Sequence, residues 1–138
     1  MRPTVTPMLM FKGNAEEAMT TYVSLFSNAR IAQLLLYGPD DVGPEGTVMR
    51  GRMEIGAQNI YFLDTVQEHD FSFVPASTLW VCCETKAEMD DAFFKLSDGG
   101  QVITPIGSYP FNDYYGWVTD RFGVSWQLAL CQPSGEPL

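Results

Sequence analysis

Residues 5–18 read Val-Thr-Pro-Met-Leu-Met-Phe-Lys-Gly-Asn-Ala-Glu-Glu-Ala, and the change of period inside this stretch decides the fold. Val5, Leu9 and Phe11 alternate with Thr6, Met8 and Met10, as on a half-buried strand. Asn14 with Glu17 three residues on has the form of a capping box. The apolar positions then fall at Ala15, Ala18, Met19, Tyr22 and Phe26, one face of a 3.6-residue helix. A second helix opens the same way: Thr85 as cap, Glu88 three residues on, a stripe of Met89, Ala92, Phe93 and Leu96, and Asp98-Gly99-Gly100 as its stop. The two caps stand 71 residues apart.

Strand patterns surround both helices. Ala29 to Tyr37 follows the first, a Gly/Pro/Asp-rich loop spans Gly38 to Gly46, and Val48 to Ile55 with Ile60 to Leu63 reads as a hairpin. The second half repeats the order. Leu79 to Glu84 precedes its helix and Gln101 to Ile106 follows. A loop from Gly107 to Asp113 leads to a hairpin of Tyr114 to Thr119 and Val124 to Leu130. The expectation is one α+β domain over residues 1–138, built from two βαβββ modules at about 3–65 and 78–131, with a linker from Val66 to Ser77 and a tail at 132–138.

Composition narrows the function classes. Of 138 residues, 46% are hydrophobic and 18% charged, which is globular rather than disordered. Eight Lys+Arg against seventeen Asp+Glu give a net charge of −9, which repels phosphate and argues against nucleic-acid or anionic-membrane partners. No apolar run reaches the ~20 residues of a membrane-spanning helix. Met1-Arg2-Pro3-Thr4-Val5 lacks an export signal's apolar stretch, so the expected location is cytoplasmic. The three cysteines, Cys82, Cys83 and Cys131, are expected to be reduced thiols acting as small hydrophobes. Cys82 and Cys83 should point to opposite faces of their strand.

Faces follow from alternation. In the last strand Val124, Trp126, Leu128 and Leu130 oppose Ser125, Gln127, Ala129 and Cys131; the bulky set suits packing under a helix and the small, polar set suits a cavity lining. In Val48 to Ile55, Met49, Met53 and Ile55 oppose Arg50, Arg52 and Glu54. These charges either lie in solvent or place Arg50 or Arg52 in a cleft that holds an anion. Trp80, Tyr114, Tyr115, Trp117 and Trp126 supply core aromatics, with Trp117 or Tyr115 available to wall a pocket. Tyr109 to Asp113 has the composition of a rim or lid.

Several chemistries lack their residues. His69, the one histidine, lies in the linker beside Glu68 and Asp70. It cannot by itself build a two-His-one-carboxylate metal set, and no Gly-x-Ser-x-Gly accompanies it. The glycine-rich nucleotide-binding fingerprints are absent as well.

Residues 5–18, together with Tyr115-Gly116-Trp117-Val118-Thr119-Asp120-Arg121-Phe122-Gly123-Val124-Ser125-Trp126-Gln127, resemble the opening strand and helix and the closing hairpin of PhnB-like proteins. These belong to the glyoxalase/bleomycin-resistance, or vicinal oxygen chelate, superfamily, and the resemblance spans residues 3–131. It implies a glyoxalase-like cupped mixed sheet with helices on its outer face, and a homodimer. In metal-dependent members the ligand positions would correspond to Thr6, Thr78, Gln127 and Phe62 or its neighbours Tyr61 and Leu63. Of these only Gln127 ligates readily, so neither metal nor cofactor is expected. The cup would be lined by Thr6, Met8, Arg50, Arg52, Thr78, Trp80, Trp117, Ser125 and Gln127, and would take a small-molecule ligand, anionic if the arginines face it. Two alternatives stand beside this reading: a metal-dependent lyase, isomerase or dioxygenase, and an interaction module whose cup is filled by Met8, Met10, Trp80 and Phe62. A demethylubiquinone methyltransferase label attached to this branch meets no glycine-rich S-adenosylmethionine turn in the sequence.

Overall fold

The computed structural model describes residues 2–138. The chain divides into two compact units, one ending at His69 and one running Asp70–Leu138. The first contains β1 (Met8–Phe11), α1 (Ala15–Val23), β2 (Ala29–Leu36), β3 (Val48–Ile55) and β4 (Gln58–Asp64). The second contains β5 (Thr78–Cys83), α2 (Lys86–Ser97), β6 (Gln101–Tyr109), β7 (Asn112–Thr119) and β8 (Ser125–Leu130). Each unit folds its strands into a four-stranded sheet, in the orders β1-β4-β3-β2 and β5-β8-β7-β6. First and last strands pair in parallel, and the remaining pairs are antiparallel. The α+β class and the two βαβββ modules are therefore as the sequence implies.

Each helix buries the expected stripe: Ala15, Ala18, Met19 and Tyr22 on α1, and Met89, Ala92, Phe93 and Leu96 on α2. Both sheets admit their helix through a glycine on the third strand of the module. A Cβ on Gly51 would lie 2.6 Å from Met19 Sδ, and one on Gly116 would lie 2.6 Å from Phe93 Cε2. A side chain at either position would force Met19 or Phe93 out of its present place. Phe62 completes the first core, its ring stacked on Phe11 at 5.6 Å and tilted against Tyr22 at 5.9 Å. Trp126 anchors the second, its indole N–H donating to Asp120 Oδ2 at 2.9 Å, while Asp120 Oδ1 accepts from the Phe122 and Val124 amides.

Four expectations are corrected. The capping box at Asn14 does not form, for Asn14 makes no side-chain cap bond. Asp64, at the end of β4, reaches across instead: Oδ1 accepts from Gly13 N at 2.8 Å and Ala15 N at 3.0 Å, and Oδ2 from Val48 N at 2.8 Å. A buried carboxylate satisfying three amides outcompetes a local amide cap. Thr85, by contrast, caps α2 as expected, accepting from Glu88 N at 3.2 Å. The opening strand starts at Met8 rather than Val5, because Pro7 has no N–H to give the ladder; its carbonyl still accepts from Tyr61 N.

The third correction concerns Gly107 to Asp113, which is largely strand rather than loop. Tyr109 pairs with Asn112 across a two-residue turn of Pro110 and Phe111. The buried Asn112 side chain fixes it, accepting from Tyr114 N at 2.9 Å and donating to Leu130 O at 3.3 Å. Fourth, the cysteines are not all thiols. Cys82 and Cys131 form a disulfide with their Cα atoms 5.3 Å apart. Cys82 lies opposite Ala129 in the parallel β5–β8 ladder, so Cys131, two residues beyond, is its diagonal neighbour on the same face. Cys83 faces the other way, is buried and free, and its thiol is pushed up to about 12 by burial and by Glu88.

Two outcomes follow. Asp64→Ala should cost about 3–5 kcal/mol in chemical denaturation, since three buried amides lose their acceptor, and Asp64→Asn should cost less. A loss under about 1 kcal/mol would show that the carboxylate is dispensable. After mild reduction, mass spectrometry of alkylated protein should find Cys82 modified first and Cys83 untouched at neutral pH. Early labelling of Cys83 would contradict its burial.

Candidate functional site

Because each helix covers one face of its sheet, the opposite face of each module is open, and the charge-bearing and aromatic candidates gather there. On the first module β4 settles the register that its sequence leaves ambiguous. Phe62 faces the helix, whereas Tyr61 lies opposite Met8 and Arg52 on the open face. Phe62 therefore neither closes a cup nor offers a ligand position. A cavity of about 460 Å³ opens here, lined by Met8, Gln33, Met49, Arg50, Arg52, Tyr61, Leu63 and the Phe62 strand segment. Met8 is 51% exposed. Thr6 precedes β1 and does not line this cavity.

Met49 is a further correction: it is 40% exposed and lines the cavity, whereas Val48 is fully buried. The pairing jumps from Leu35–Arg50 to Leu36–Val48, so Met49 is the extra residue of a bulge that turns it from the helix face to the open one. Tyr61 and Leu63, named from the resemblance as alternatives to Phe62, also line the cavity, and so does Gln33, which the sequence did not single out. Strand alternation identifies Tyr61 once the β4 register is known; nothing local marks Gln33.

The two arginines of β3 have different fates. Arg52 Nη1 donates to Glu54 Oε1 at 2.7 Å and to Asn59 Oδ1 at 3.0 Å. Arg30 Nε donates to Glu54 Oε2 at 2.8 Å. These two guanidiniums, Arg52 first, hold the Glu54 carboxyl below its ordinary value. Arg50 is exposed beside the cavity and makes no ion pair or side-chain hydrogen bond among the described residues. Of the pair, Arg50 is the cation available to a ligand.

On the second module the open face carries Thr78, Trp80 and Cys82 of β5, Ser125, Gln127 and Ala129 of β8, and Tyr115 and Trp117 of β7. Two hydrogen-bond chains run over it. Trp117 Nε1 donates to Ser125 Oγ at 2.8 Å, and Ser125 Oγ donates to Thr78 Oγ1 at 2.9 Å. Tyr115 donates its hydroxyl to Gln127 Oε1. Burial, with Tyr109 nearby, raises the Tyr115 phenol above its ordinary value, so it stays a donor at neutral pH. Trp80, 47% exposed, lies with its ring centroid 5.9 Å from that of Tyr115. At the end of this face, Tyr109, Phe111 and Tyr115 cluster with centroids 4.9–5.9 Å apart. Tyr114 faces the helix side instead, donating to Asp90 of α2.

The donor set does not fit a transition metal. Of the positions that the resemblance points to, Phe62 is core, its neighbours Tyr61 and Leu63 bring a phenol and an apolar chain to the open face, Thr78 and Gln127 are neutral groups already hydrogen-bonded, and Thr6 is a lone hydroxyl outside the strand. Among the described residues no group of three or more His, Cys, Asp or Glu is placed to hold a metal ion. No helix among them is long and apolar enough to cross a membrane.

Residues 3–129 match the family model described as 3-demethylubiquinone-9 3-methyltransferase. A PhnB protein from Bacillus cereus, provisionally described by that same enzyme name, is 43% identical, with 94% of this chain and 100% of that chain covered at a TM-score of 0.90. Protein PA1353 from Pseudomonas aeruginosa is 26% identical over 92% of this chain and 96% of its own, at a TM-score of 0.80. A glyoxylase/bleomycin resistance protein/dioxygenase domain from Frankia sp. EAN1pec shares the fold at 13% identity, over 96% of this chain and 99% of that one, with a TM-score of 0.66. No curated protein matches the chain. Pattern, sheet order and these likenesses agree: the chain has the fold of the glyoxylase/bleomycin resistance protein/dioxygenase domain and belongs to the PhnB-like family, whose model bears the 3-demethylubiquinone-9 3-methyltransferase description.

Proposed function

We propose that this protein binds a small organic anion on the open face of its first module, without a metal ion, and that Arg50 is the anchor. The observation that carries the reading is the contrast between the two arginines: Arg52 is consumed by Glu54 and Asn59, while Arg50 stands unpaired at a cavity walled by Met8, Met49, Tyr61 and Leu63. An apolar body with one convergent cation is the ordinary construction of a small-molecule site. A guanidinium at such a rim recognises a carboxylate, sulfonate or phosphate group in a bidentate manner. Methyl transfer is not part of the proposal. The turn between β1 and α1, where a cofactor's anionic part would meet free amides, already spends its Gly13 and Ala15 N–H groups on Asp64. A homodimer belongs to the same proposal, on the strength of the resemblance; sedimentation velocity should show twice the chain mass.

The test uses the fluorescent organic anion 8-anilinonaphthalene-1-sulfonate and its neutral counterpart N-phenyl-1-naphthylamine. Arg50→Ala should weaken the sulfonate about tenfold, the loss of one charge-assisted contact, and leave the neutral probe unchanged. Arg52→Ala should weaken it less than about threefold, because that guanidinium serves Glu54. Equal sulfonate affinity in wild type and Arg50→Ala would defeat the proposal.

Glu54 sets the pH behaviour. Its carboxyl is held below the ordinary value, so the stabilising pair with Arg52 is complete above about 4.5 and is lost only as pH falls through the lower folded value. Sulfonate affinity should therefore be flat from about pH 5.5 to 8, and Glu54→Gln, which releases Arg52, should raise it in that window. A rise in the wild type between pH 8 and 5.5 would contradict this assignment.

A further inference from the structure

We infer that the open face of the second module is a separate recognition surface for a planar, conjugated molecule that presents only hydrogen-bond acceptors, such as an aromatic carboxylate or ring carbonyl. This rests on the reading that the open faces bind small molecules, but not on Arg50. An indole nitrogen can only donate, so Trp117 uses one lone pair of Ser125 Oγ, and the Ser125 hydroxyl in turn donates to Thr78 Oγ1. Thr78 accepts through its oxygen, and its own proton has no partner among the described residues. The second chain ends the same way. Tyr115 donates to Gln127 Oε1, which leaves both N–H groups of the Gln127 amide without a partner in this set. Both chains thus terminate in unspent donors, Thr78 O–H and Gln127 N–H, on one sheet face.

The apolar part of the site is equally specific. Gln127 lies opposite Trp80 on one neighbouring strand and opposite Trp117 on the other, all three on the open face. Adjacent strands run ~4.8 Å apart, so the two indoles flank the amide across roughly 10 Å, the scale of one or two fused rings. An aromatic ring packed against the half-exposed Trp80 therefore meets donors at its edge. A donor group on the same ring, an amine for instance, would face only other donors.

The experiment titrates the intact protein with 2-naphthoate and with its cationic counterpart 2-naphthylmethylammonium, following the indole N–H signals of Trp80 and Trp117 by nuclear magnetic resonance. Wild type should show saturable shifts at both indoles with naphthoate and at least tenfold weaker ones with the ammonium. Gln127→Glu keeps an acceptor for Tyr115 and replaces both donors by a charge, so it should reverse the preference. Thr78→Val should weaken naphthoate about three- to fivefold without reversing anything. Arg50→Ala should leave these shifts unchanged, which separates this site from the first-module proposal. Naphthoate shifts that spare both tryptophans, or a Gln127→Glu protein of unaltered melting temperature that still prefers naphthoate, would overturn the inference.

Discussion

The close approach of each helix to its sheet is the constraint on which the remainder hangs. Met19 sits over Gly51 and Phe93 over Gly116, each occupying the space that a Cβ would need. Two modules of little mutual sequence identity thus reached the same solution with different side chains, sulfur in one and a ring in the other. Once the helix is seated, one face of the sheet is dry and complete. Every charged, aromatic or hydrogen-bonding group displaced from that face has to appear on the other, which is how two clusters of chemistry come to lie on open sheet surfaces.

The open faces have different electrostatic character despite the shared topology. The first is ionic, with Arg30, Arg52 and Glu54 compensating one another and Arg50 left over. The second is neutral, and its polarity comes from the direction in which protons are passed along hydroxyls, an amide and an indole. A fixed charge attracts at a distance and is weakened by salt. Oriented neutral dipoles act at contact and resist salt. Duplicated architecture here carries two surface chemistries rather than one repeated.

Much of this was legible in the sequence. The helix stripes of α1 and α2, the βαβββ order and the small, polar face of β8 follow from periodicity, because burial selects apolar residues at fixed spacing. Arg50 and Arg52 were placed together correctly by strand alternation. Which of them is free was not legible, since that depends on Asn59 across the β3–β4 pair and on Arg30 from β2. Met49 defeated alternation because a bulge shifts the register by one. Asp64 and the Cys82–Cys131 pair were hidden for a related reason: each joins residues about 50 positions apart, and no local pattern records such a meeting.

Asp64 also makes the two helices depend differently on their strands. α2 carries its own cap in Thr85, so its first turn can be closed by residues already adjacent in the chain. α1 has no such local closure; its N-terminal amides meet a carboxylate 49 and 51 residues downstream. Loss of β4 would therefore remove the side-chain cap of α1 along with the strand, whereas the cap of α2 lies within its own first turn and depends on no strand.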